Sequence, residues 1–302
     1  MPLALLYNPS MRRSQPLASQ FWLILLALLI FPGILLAQQL PPSAARILLL
    51  PRRVVAGDRA TLAVLDVNGR LTPGVDVHFS NGEKYTTDAT GRARFVAPLN
   101  AGVIYGSLPG RAGRVAITIL TPAEAGAPSL QVTRAPRVAS ISDRFELSGN
   151  GFCGDADSNQ VTVGAKDAIV LASSPVSLLV LAPLEQEAGP ATVKVSCGKQ
   201  SSPGFFIVLV NLELQADSSP LSPGEHRALT VHIHGSSARV ALEARNLAPE
   251  VASLSGGDAV RAISSGVAEN QARFEVVGKQ RGSFLISIHL VSFPVAPKLK
   301  PE

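Results

Sequence analysis

Cys153 and Cys197 are the two cysteines of this 302-residue sequence. Cys197 continues the alternation of Val193 and Val195, and Cys153 follows the run that carries Phe145 and Leu147. A disulfide is therefore expected, with two separate buried thiols as the alternative. The bridge would close a 45-residue loop, which contributes about 4 kcal/mol on the chain-entropy account. Asp155, Asp157 and Asn159 in DADSN take the first three ligand positions of a calcium loop. The match then stops, because Gln160 stands where a Gly is needed and Lys166 where a bidentate Glu is needed. A solvated turn is the expectation there. His232 and His234 in VHIHG share one face of a strand. Two imidazoles at that spacing hold zinc when two further ligands converge. Glu225 and His226 are nearest in sequence and offer no clear geometry, so an exposed polar face is expected. No metal and no cofactor are expected.

The sequence has no G-x-S-x-G, no H-E-x-x-H, no G-x-x-x-x-G-K-[ST] and no G-x-G-x-x-G opening a helix. No enzyme is expected. Glycan-binding sandwiches stack sugars on exposed aromatic rings. Trp22 is the single Trp, and past residue 37 only Tyr85 and Tyr105 remain as Tyr. A glycan platform is thus the second reading, not the first.

These residues sit on a chain of short alternating runs. Segments such as VDVHF, RARFV, QVTVG, ATVKVSCG and ARFEVVG are rich in β-branched residues and bounded by Gly, Pro, Asn or Asp. Period-two alternation with regular turn signals points to β-sandwiches. Gly and Pro make up 48 of the 302 residues, which suits many tight turns. Residues 21–37, FWLILLALLIFPGILLA, follow Arg12 and Arg13 and end at Ala37. That is the layout of a signal peptide, 1–37, with Met11 as an alternative start; an uncleaved anchor through 21–37 is the other reading. The formal charge is +5, and those two arginines leave only 25 basic against 22 acidic residues elsewhere. No run of basic residues is longer than two, so no nucleic-acid partner is expected.

The organisation expected is all-β: three tandem Ig-like β-sandwich domains after the signal peptide or anchor. A spacer covers 38–45, a first sandwich 46–121, a linker 122–128, a second sandwich 129–210, a third 211–293 and a flexible tail 294–302. Residues 57–119 resemble a bacterial Ig-like domain of the invasin/intimin type through AGDRATLAVLDVNGRLTPGVDVHF, TTDATGRARF and NAG. The carboxypeptidase regulatory-like fold shares some of these elements. Residues 129–210 resemble an IPT/TIG domain through FELSGNGF, QVTVG, APLEQEAGPATVKVS and a closing Phe-Phe. The resemblances imply a non-enzymatic exported protein of the periplasm, cell surface or extracellular space. It would bind, adhere or act as a scaffold through its Ig-like modules. The partner implied is an envelope or extracellular protein. The alternative is an accessory polysaccharide-binding module that takes a cell-surface glycan.

Overall fold

The computed structural model describes residues 46–299 apart from 67, 184, 218, 267–268, 292–293 and 296–297. The expected signal peptide, the alternative start at Met11 and the 38–45 spacer lie outside the described residues. The described chain is almost entirely β, in several sheets, as the alternation requires.

Around the first core run β1 (Ile47–Leu49), β2 (Arg53–Val55), β3 (Arg59–Leu65), β4 (Asp76–Phe79), β5 (Lys84–Thr86), β6 (Arg92–Val96), β7 (Gly102–Ser107) and β8 (Arg114–Leu120). β3 pairs with β1 and β6, and a second sheet runs β2-β8-β7-β4-β5. Ala93 and Phe95 of β6 point inward, where Phe95 meets Phe79 and Tyr85. The TTDATG stretch is a turn built by its side chains. Asp88 accepts hydrogen bonds from the Thr90 backbone N–H and hydroxyl. Gly91 has φ of 74°, and a Cβ there would lie 2.5 Å from the Thr72 nitrogen, so only Gly fits. Thr87 is buried, donates to the Thr72 carbonyl and accepts from Val75 N–H.

The 122–128 linker holds one turn of helix, α1 (Pro122–Ala125), closed by a reciprocal capping box between Thr121 and Glu124. The second core follows. It takes β9 (Gln131–Pro136), β10 (Val138–Ser140), β11 (Arg144–Asn150), β12 (Asn159–Val163), β13 (Lys166–Ser174), β14 (Ser177–Leu181), β15 (Gly189–Cys197), β16 (Gln200–Ser201) and β17 (Phe205–Gln215). β13 belongs to two sheets. Its start, Lys166–Ala168, pairs with β12, and from Ile169 on it pairs with β14, across a register shift between Val170 and Ala172. Bulges of this kind let one strand turn a sandwich corner.

The third core is enclosed by β18 (His226–His234), β19 (Ala241–Asn246), β20 (Ala252–Leu254), β21 (Ala259–Ile263), β22 (Gln271–Gly278) and β23 (Ile286–Leu290). β17 pairs with β15 in the second unit and with β18 in the third. Phe205, Ile207 and Leu209 face the second core, whereas Val208, Val210, Leu212 and Leu214 face the third. Successive side chains of a strand point to opposite faces, so one unbroken strand serves both cores. The expected boundary at 210/211 falls inside β17, which runs unbroken across it.

The Pro- and Lys-rich stretch 294–302 predicts a flexible tail. Four of its residues are instead paired: β24 (Pro294–Val295) lies against β9 and β25 (Lys298–Leu299) against β17. At Phe205 and Phe206 β17 is then paired on both sides, with β15 and with β25.

Candidate functional site

The most elaborate side-chain arrangement lies where the first and second units meet. It is centred on residues 153–159, CGDADSN. Cys153 and Cys197 form a disulfide with Cα atoms 5.7 Å apart, tying the start of this loop to the end of β15. Buried Asn159 holds the loop closed: it accepts from Cys153 N–H and donates to the Cys153 and Asp155 carbonyls, all within 2.9 Å.

The closed loop presses on β3. Thr61 Oγ1 donates to the Gly154 carbonyl at 2.9 Å and accepts from Ala156 N–H at 3.1 Å. Ser173 Oγ contacts the Cys153 and Gly154 carbonyls, each at 2.8 Å, and Ser173 is paired with Thr61 in the ladder. Gly154 is so close to β3 that a Cβ there would lie 2.1 Å from the Arg59 carbonyl oxygen. Two ion pairs flank the loop, Asp155 to Arg94 at 2.8 Å and Asp157 to Arg92 at 3.3 Å. Arg92 also donates to the Val170 carbonyl at 2.8 Å. On the other side, Ser174 Oγ donates to the Arg53 carbonyl at 2.6 Å and Glu146 pairs with Arg52 at 3.1 Å. Between these polar rims Leu49, Ala63 and Leu65 of the first unit pack on Leu171 of the second, with Ile47, Leu71, Leu179 and Leu181 around them. Apolar burial drives such a seam, because largely solvated ion pairs contribute little.

The triplet Asp155, Asp157 and Asn159 is therefore tied into the seam and is not the free solvated turn expected. Each carboxylate faces an arginine of the first unit, and Asn159 is a loop-closing residue. Among the described residues no group of three or more His, Cys, Asp or Glu is placed to hold a metal ion. His232 and His234 do share a face, with ring centroids 6.5 Å apart. His232 meets Gln215 and His234 meets Glu213, each at 2.9 Å, so both are cross-strand partners on an exposed face. His226 lies apart from them, on Glu275 at 3.1 Å.

Sequence reasoning misses a cluster in the third unit. Glu243 of β19 is buried, its carboxylate shared by Arg245 Nε at 2.6 Å and Arg261 Nε at 2.8 Å, with His289 Nε2 at 3.6 Å. The hydrogen bonds from Arg261 and then Arg245 hold the Glu243 pKa down at about 2, from 4.5. A carboxylate whose folded pKa is lowered stabilises the fold above its unfolded pKa and loses that contribution as pH falls through the folded one. Glu243→Gln is therefore expected to flatten the acid limb of stability between pH 4.5 and about 2. Urea midpoints across that window check it, and unchanged pH dependence contradicts it. The alternating charges of LEARN and AVRAI are the available signal.

A second open face lies on β7 and β8. Tyr105 is 44% exposed. It lines a depression of about 310 Å³ with Phe79, Ser80, Ser107 and Arg114.

No family model matches this chain, and no curated protein does. Among solved structures it is similar to SGBP-B of the Bacteroides ovatus mixed-linkage glucan utilization locus, in complex with a mixed-linkage heptasaccharide. Identity there is 12%, with 80% of this chain and 73% of that chain covered and a TM-score of 0.34. Domains 4 and 5 of the S-layer protein SbsC share 19% identity over 45% of this chain and 75% of that one, at a TM-score of 0.19. The chicken CNTN1 FN1–FN3 domains share 9% over 85% and 98%, at 0.21. Likenesses of this size say nothing of what this chain binds.

Proposed function

We propose that the chain is an exported, non-enzymatic binding and scaffold protein of the cell envelope. Three Ig-like units, 46–121, 129–210 and 211–293, would act as one coupled body, the first of invasin/intimin type and the second of IPT/TIG type. The observation that carries this reading is the coupling itself. An apolar and ionic seam joins the first two cores, and one strand serves the second and third. Fixed units present a partner with a pre-organised surface, which lowers the entropic cost of binding. The disulfide suits an oxidising compartment. Export would rest on the signal peptide or membrane anchor read in 21–37. Partners would be envelope or extracellular proteins, met through loops at sandwich ends or exposed strand edges.

Fractionation of the producing cell, followed by capture of envelope proteins on the chain and reciprocal capture, tests the reading. Recovery of the chain in the envelope with a specific protein is expected. A chain that stays in the cytoplasm overturns it. The second reading, glycan binding, is favoured by one observation: the exposed Tyr105 ring beside the shallow depression. There, Tyr105→Ala would abolish retention on insoluble cell-wall glycan.

A further inference from the structure

The outward face of the β21-β19-β23 sheet carries the buried carboxylate and two arginines already described. Arg261, Glu243 and His289 are direct cross-strand partners in one row, and Arg245 is the next outward position along β19. Both guanidinium groups reach Glu243 through Nε alone. An arginine bound this way keeps both Nη groups free to form a planar donor pair. The two side chains remain 58% and 67% exposed.

Arg227 shows the contrast. Its Nη groups are consumed by the carbonyls of Asp217, Ser219 and Pro220 and by Glu225. Arg227 is a structural clamp with no donor pair left over. At Arg245 and Arg261 no hydrogen bond from an Nη group is present among the described residues. One carboxylate also cannot neutralise two guanidiniums, so the face keeps an excess positive charge. No other acidic residue stands at an outward position of these three strands: β21 offers Ala259 and Ile263 beside Arg261, both exposed.

We infer that this face binds an acidic polysaccharide, its carboxylates taken by the Nη pairs of Arg245 and Arg261. Arginine forks match planar carboxylates in two parallel hydrogen bonds. The face is an open sheet surface, whereas small ligands are held in enclosing pockets. An extended polymer suits such a surface, because successive carboxylates along it can meet successive forks. Exposed Ala259 and Ile263 give apolar contact for the sugar rings between them. Glu243 acts as a positioning residue, fixing each Nε so that the forks point outward.

The inference draws on the envelope reading only for the source of the polymer, and its test does not depend on that reading. The full chain is titrated with oligogalacturonate at low ionic strength, in parallel with neutral dextran oligomers and with polyphosphate. Oligogalacturonate is expected to bind, to weaken as salt is added, and to outcompete polyphosphate; dextran should not bind. The R245K/R261K variant keeps a cation beside Glu243 but loses both forks. It should retain the wild-type melting temperature and bind oligogalacturonate at least tenfold more weakly. A folded R227K variant should bind as the wild type does. Equal binding by R245K/R261K, stronger binding of polyphosphate, or no oligogalacturonate binding would each overturn the inference. None of these outcomes touches the capture of envelope proteins, so the scaffold reading stands or falls separately.

Discussion

Replacing Cys153 and Cys197 together with serine is expected to lower the stability of the second unit by about 4 kcal/mol. The bridge spans 44 positions in sequence, so its loss frees a long loop in the unfolded chain. The native state also suffers, because Cys153 begins the loop that docks on β3. Asn159 and Ser173 bind the Cys153 carbonyl, and their grip depends on the position that the disulfide gives it. Urea unfolding with and without reductant measures the effect. The double variant and the reduced wild type should coincide, and the first unit should lose protection from hydrogen exchange at β3. A change below about 1 kcal/mol, well under the usual range for a native disulfide, would contradict this account of the bridge.

The second large effect is expected from Gly154→Ala. The new methyl would sit 2.1 Å from the Arg59 carbonyl oxygen, well inside contact distance. The obstacle is backbone, which cannot swing aside as a flexible side chain can. Overpacking of this kind typically costs about 1–3 kcal/mol. Relief comes by moving residues 153–159 off β3, which also stretches the pairs Asp155–Arg94 and Asp157–Arg92. Each sandwich keeps its own core, so the variant should stay folded while the two units uncouple. Calorimetry should then resolve two transitions in the variant, against a single one expected for the wild type. A single undivided transition in Gly154→Ala would show that the loop does not couple the units.

The strands are largely legible in the sequence because alternation is a local property. RARFV and ARFEVVG bury every second residue as their pattern demands. β2 and β5 escape such a reading, because three-residue strands give too little periodicity. The seam is harder. ATLAVL and VLASS are uncharged runs without regular alternation, the mark of strands covered on both faces, and residues 60–65 of β3 and 170–174 of β13 are buried in that way. That signal is present, but it is easily taken for ordinary alternation. The matching pairs are invisible, since Arg92 and Arg94 are distant in sequence from Asp157 and Asp155 and nothing local links them. In FFIVLVNLELQ the inward positions change parity near Leu209 and Val210, a clue that one strand faces two cores. For Glu243 the alternating charges of LEARN and AVRAI are a weak clue, because its burial depends on arginines from its own strand and from a neighbouring one.

The scaffold role depends on coupling between the units. Its most direct test is a distance measurement by pulsed electron spin resonance. Spin labels would be placed at Ala116→Cys on β8 and Lys199→Cys in the β15–β16 turn, both exposed positions, with the native disulfide left oxidised. One narrow distance distribution is expected in the otherwise wild-type chain, broadened when Gly154→Ala is added. A broad or multiple distribution in the chain that retains Gly154 would mean that the first two units hinge freely, and the scaffold reading would lose its basis.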